Sequence, residues 1–146
     1  MLRATLVAAS LLALPAFAIA QNADVIKERK ANFKAMGDAA KPTGAMMKGE
    51  ADFDLSAVKN AIKVFQEKAA LQAKLFPDDS KEGEKTEALP VIWDNKADFD
   101  ERFVKLAEAA TAADASVTDA ETFATEWPKV MGNCGSCHKK YRKPKD

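Results

Sequence analysis

Residues 134–138, Cys-Gly-Ser-Cys-His, hold both cysteines and the only histidine of a 146-residue chain. Two cysteines scattered at random over such a length fall three apart about one time in 70, and a lone histidine follows the second about one time in 140. Chance therefore gives the pattern on the order of once in ten thousand chains, and Cys-x-x-Cys-His is the spacing of covalent haem attachment. Three other chemistries use such a stretch: a disulfide, a zinc site and a thioredoxin-like redox pair. Zinc needs three or four protein ligands, and no second cysteine pair or histidine exists to complete the set. A thioredoxin-like pair needs a βαβ setting.

The rest of the chain reads as helix. From Asp54 the apolar positions Val58, Ile62, Phe65, Ala69 and Phe76 keep near-helical spacing up to Pro77. From Asp98 the set Phe99, Phe103, Leu106, Ala110 and Ala113 does the same. A last segment opens on Thr118-Asp-Ala-Glu121, read as a capping box, and continues through Phe123, Trp127, Val130, Cys134, Cys137 and Tyr141. A weaker first segment carries Val25, Ile26, Phe33, Met36 and Ala40 to a stop at Lys41-Pro42. With no alternating β-branched run, the expectation is all-α: an antiparallel four-helix bundle with covalently bound haem c. The βαβ setting of a thioredoxin-like pair is thereby excluded. Residues 41–53 and 77–97 are expected to be connections, with Val91-Ile92-Trp93 packing back on the bundle. Trp127-Pro128 predicts a kink in the last helix. On that helix Cys134, Cys137 and His138 stand at i, i+3 and i+4, so thiols and imidazole share one face, and that face continues the apolar stripe into the bundle.

The N-terminus speaks to the compartment. Arg3, an apolar run over 4–20 broken by Pro15, and Ala18-Ile19-Ala20 form a secretory leader cut before Gln21. The run is short for a membrane span of about 20 residues. Residues 1–20 are thus a cleaved signal peptide and 21–146 one domain, exported to an oxidising periplasm where covalent haem suits better than free thiols. Removing Arg3 from 22 basic residues leaves 21 against 22 acidic ones, about −1 overall. Such a balance, spread along helix faces, attracts neither nucleic acid nor an anionic membrane.

A leader, four helices and a C-terminal Cys-x-x-Cys-His followed by Tyr141-Arg142 resemble cytochrome c′, the four-helix class of c-type cytochromes. The stretches 28–34, 47–50, Leu75-Phe76-Pro77, Thr86-Glu87-Ala88 and Ile92-Trp93 match in order. The resemblance implies thioether bonds from Cys134 and Cys137 and an axial iron bond from His138. It places Arg29 and Lys30 at the haem edge, with Arg29 toward a propionate, and Thr86 and Glu87 in a loop touching the haem. Arg142 falls beside the proximal histidine and Phe33 faces the sixth coordination position. It also implies a homodimer through the first two helices, where Met46, Met47 and Leu55 lie outside the haem face.

A haem with histidine on one side and an apolar residue on the other is five-coordinate and offers bound O2 no hydrogen bond, so oxygen storage is excluded. What remains is one-electron transfer, with an unknown periplasmic redox partner, and binding of NO or CO past Phe33. In the alternative, Met36 ligates the iron and the protein is six-coordinate and purely an electron carrier. Three residues from Phe33, Met36 is displaced by about 4.5 Å of rise, which requires helix one to slide. A peroxidase needs a distal acid–base residue, for which the first helix offers only Asn32 and Lys34. No residue is therefore assigned a catalytic role.

Overall fold

The structure, a computed structural model, describes residues 15–144. Helix α1 spans Pro15–Met47, α2 Leu55–Gln72, the four-residue α3 Val91–Asp94, α4 Lys96–Ser116 and α5 Ala120–Tyr141. The four long helices make the antiparallel bundle that the periodicity predicts, and no strand occurs among the described residues. The leader assigned to residues 1–20 lies mostly outside the described residues, 15–20 being continuous with α1.

Several boundaries differ from expectation; α2, for one, ends at Gln72 and gives way to a 3-10 turn over Ala73–Leu75 before Pro77. Helix α1 does not stop at Pro42 but carries it internally and runs on to Met47. Its true stop is Gly49, at φ 72°, where glycine meets no steric penalty. There the Glu50 N–H donates to Ala45 O (2.9 Å) and the Gly49 N–H to Met46 O (3.1 Å), the paired bonds that satisfy orphan carbonyls at a helix end. The first connection thus shrinks from 41–53 to 48–54. At α5 the cap is Asp119, not Thr118. The Asp119 carboxylate accepts the Thr122 N–H (2.8 Å) while the Thr122 hydroxyl accepts the Asp119 N–H (3.1 Å). Helix α5 runs through Pro128 and also contains Gly132 and Gly135, neither of which has a neighbour within 4 Å of where a Cβ would sit.

Buried side chains follow the stripes. In α4 they are Phe99, Phe103, Leu106, Ala110 and Ala113, the set expected from spacing alone. One core, around Ile62, Phe65, Phe123 and Trp127, joins α1, α2, α4 and α5; a second gathers Phe76, Ile92, Phe99, Phe103 and Tyr141. Ile92 is buried, so the end of the 77–97 connection does pack back as α3. Met47 and Leu55 are exposed. Close packing runs α1 on α2, α2 on α4 and α4 on α5, while the seam between α1 and α5 opens into a cavity that both helices line.

Phe123 is wedged between Phe53 (5.7 Å) and Trp127 (6.0 Å), away from that cavity. Truncating such a ring leaves a void as well as losing burial. Phe123→Ala is expected to destabilise the holoprotein by about 3–5 kcal/mol in denaturant unfolding. A loss below about 1 kcal/mol would show that this core is not close-packed.

Candidate functional site

The cavity has a volume of about 710 Å³. Its walls are apolar rings and aliphatics (Phe33, Met36, Phe65, Phe76, Phe99, Phe103, Leu106) and its charged lining is Arg29, Lys30, Lys85, Glu87, Arg102 and Arg142. All nine residues that the resemblance places at a haem line it: Cys134, Cys137 and His138 from α5, Arg29, Lys30 and Phe33 from α1, Thr86 and Glu87 from the connection, and Arg142 beyond α5. Five cations against one carboxylate, in a chain of zero formal charge, make a surround suited to an anionic group.

Helix α5 delivers the motif as its spacing requires. Cys134 and Cys137 are half-buried free thiols, and burial pushes both up from the ordinary thiol range. At Cys137 the Arg102 charge pulls the other way and the Asp98 charge adds to the rise. Beyond His138, α5 is tied to the connection by backbone: the Leu89 N–H donates to Tyr141 O (3.0 Å) and the Lys143 N–H to Glu87 O (2.8 Å), around a bridge between Ala88 and Arg142.

Arg29 lines the cavity and is engaged within the protein. It is 2% exposed, and its two terminal nitrogens donate to Leu75 O (3.3 Å), Ser80 Oγ (2.9 Å), Ser80 O (3.0 Å) and Thr86 Oγ1 (2.7 Å). The guanidinium also stacks on Phe76, 4.5 Å from the ring centroid. Burial pulls it down to about 10, so it stays charged at neutral pH. Its neighbour Lys30 donates to Glu84 O (2.7 Å). Gly83, Glu84 and Lys85 all have positive φ (103°, 45° and 51°), a conformation unfavourable for the latter two. The Arg29 and Lys30 bonds hold this turn, and with it Thr86 and Glu87, against the cavity.

Sequence reasoning passed over Asp98, Arg102 and Lys140. Asp98 accepts from Arg102 Nε (2.9 Å), Lys140 Nζ (3.1 Å) and the Tyr141 hydroxyl. These donors, Arg102 first, hold its carboxyl well below the usual range. The only signal was the i, i+4 spacing of 98 and 102, shared with ordinary surface pairs such as Glu101–Lys105.

The donor set fits a porphyrin. Apolar walls suit the macrocycle, two thiols with the right spacing can add across its vinyl groups, and an imidazole one turn along can reach iron. Arg142 Nε supplies a further argument: it is buried without a hydrogen-bond partner, and Glu87 Oε2 stands 4.0 Å away. Among the described residues no cluster of three or more His, Cys, Asp or Glu could hold a bare metal ion.

A helical bundle presenting Cys-x-x-Cys-His to an apolar cavity defines the four-helix class of c-type cytochromes. The family model described as Cytochrome C' matches residues 24–142, and the chain belongs to that family. It is 47% identical to a cytochrome c' of Rhodopseudomonas palustris over 129 residues, 88% of each chain. It is 33% identical to a cytochrome c-556 of the same organism over 146 residues, 97% of each. The solved structure of cytochrome c' from Rhodopseudomonas palustris superposes with a TM-score of 0.83 at 46% identity, covering 84% of this chain and 98% of that one. Proteins of this family carry one covalently bound haem c and serve electron transfer.

Replacing Arg29 by Lys keeps a charge but not the planar fork that reaches four acceptors at once. Arg29→Lys is expected to cost about 2–3 kcal/mol in urea unfolding and to speed hydrogen exchange at the Thr86 amide, which bonds Gly83 O. Unchanged exchange there would mean that Arg29 does not hold the turn.

Proposed function

We propose that the protein is a periplasmic one-electron carrier whose haem also binds NO or CO, exported by residues 1–20 and functioning as residues 21–146. Cys134 and Cys137 would hold the haem as thioethers, each adding its S–H across a vinyl double bond, and His138 would offer its imidazole to the iron. Bound there, the haem would supply a ferric/ferrous couple and a place for a small diatomic. The single observation that carries the reading is the convergence of Cys134, Cys137, His138, Arg142 and Phe33 on one apolar cavity.

The chain's own part is to hold, to shield and to stay rigid. The aromatic walls exclude water, which limits the reorganisation that accompanies electron transfer. Arg29 holds the turn that brings Thr86 and Glu87 to the rim, and Arg142, also on the cavity wall, has a buried Nε without a hydrogen-bond partner. Phe33, also on the cavity wall, is 37% exposed and 6.3 Å from the Phe103 ring. A small neutral diatomic can pass such a ring, and no hydrogen-bond donor is needed to hold it. Turnover as a peroxidase is disfavoured: Asn32 is buried and donates to Gln72 Oε1 (3.3 Å), and Lys34 pairs with Asp38. Neither lines the cavity. Among the described residues no helix is long and apolar enough to cross a membrane.

Met36 also lines the cavity, which keeps a six-coordinate, purely electron-carrying form as the second reading. Its burial favours the first. At 6% exposure it packs in the core with Phe65 and Trp127, and a shift toward the iron would empty that site.

Acid–acetone extraction of the holoprotein is expected to leave the colour on the polypeptide, and Cys134→Ser with Cys137→Ser to give colourless protein; extractable wild-type haem refutes the attachment. The ferrous protein is expected to show a broad high-spin spectrum and rapid CO binding, unchanged in Met36→Leu. Sharp α and β bands that vanish in Met36→Leu would establish the six-coordinate form.

A further inference from the structure

Asp98 and Arg102 stand one turn apart on α4, Asp98 in its first turn, where the helix dipole favours a carboxylate. They are joined twice, through Nε to Oδ2 (2.9 Å) and Nη2 to Oδ1 (3.4 Å). The carboxylate is also held by Lys140 and Tyr141, in the last turn of α5, two and three residues after His138. Tyr141 is 2% exposed and packs edge-on against Phe99 (5.1 Å), so this anchor does not swing. The pair is therefore oriented: Arg102 lines the cavity, whereas Asp98 does not.

We propose that the Asp98–Arg102 pair is a positioning device that sets the reduction potential of the haem, its guanidinium turned to the cavity and its carboxylate held behind. The inference rests on attachment through Cys134, Cys137 and His138. Reduction removes one positive charge from the iron centre, so a nearby cation favours the ferrous state and a nearby carboxylate the ferric one. With the guanidinium in front, the net effect of the pair is to raise the potential, and Asp98 restrains that rise. The two side chains are a quarter and under half exposed, so added salt screens part of the effect but not all of it. The two-point bond matters because it fixes which end faces the haem.

The test is the midpoint potential of purified holoprotein, at low and high salt, in variants whose haem is checked to be covalent by acid–acetone extraction. Asp98→Asn is expected to raise the potential and Arg102→Gln to lower it, both shifts shrinking with salt. The double variant should return toward wild type, and Asp98→Glu should restore it. Should Asp98→Asn fail to fold, Arg102→Gln must still lie below Arg102→Lys, which keeps the charge. Shifts of the same sign in both single variants, or none, with haem still covalently bound, overturn the inference alone. Haem that extracts from the wild type overturns the attachment on which it rests.

Discussion

A buried cation organises the rim of the cavity. Leaving a guanidinium inside a protein costs several kcal/mol unless its donors are met. Arg29 meets that cost with four acceptors and an aromatic face, all drawn from the segment after α2. The consequence is architectural. A connection of mixed charge and three positive-φ residues becomes a wall, and its far end, 87–89, is hydrogen-bonded to 141–143. Through it α1 is coupled to the last turn of α5, although the two helices leave their own seam open.

That open seam separates the two cores. Phe65 belongs to one and Phe99 and Phe103 to the other, yet all three line the cavity. A flat apolar group bound between them would be flanked by rings set by packing rather than by loops. Gln72 reinforces the arrangement. Fully buried at the end of α2, it donates to Arg29 O (2.9 Å) and accepts from Asn32, pinning the middle of α1 in rotation and in register. That register sets how Phe33 and Met36 sit on the cavity wall.

Most of the fold was legible because helix burial is periodic. The apolar positions of α2, α4 and α5 recur at three and four residues, and the structure buries them, except for the half-buried Cys134 and Cys137. The nine candidate residues also fell together, since motif spacing and family pattern point at one cavity. What remained hidden was decided by distant partners. Pro42 reads as a stop, but packing carries α1 through it to Gly49. Thr118 and Asp119 are both good caps, and only backbone geometry chooses between them. The four acceptors of Arg29 lie in a segment distant in sequence, which no local pattern announces. Asp98–Arg102 looks like any surface pair until Tyr141 is seen closing on it.

Helix α5 carries Pro128, Gly132 and Gly135 within its length. Relative to alanine, an interior proline disfavours a helix by about 3 kcal/mol and each glycine by about 1 kcal/mol. No Cβ clash requires either glycine, so the low propensity is not a by-product of tight packing. An isolated α5 would be largely coil, and its helical order is borrowed from Phe65, Phe99 and the other side chains that receive it. The segment bearing the cysteines and histidine cannot persist as a partly folded unit of its own. Its geometry is present or absent together with the bundle, which makes the ligand set as cooperative as the fold.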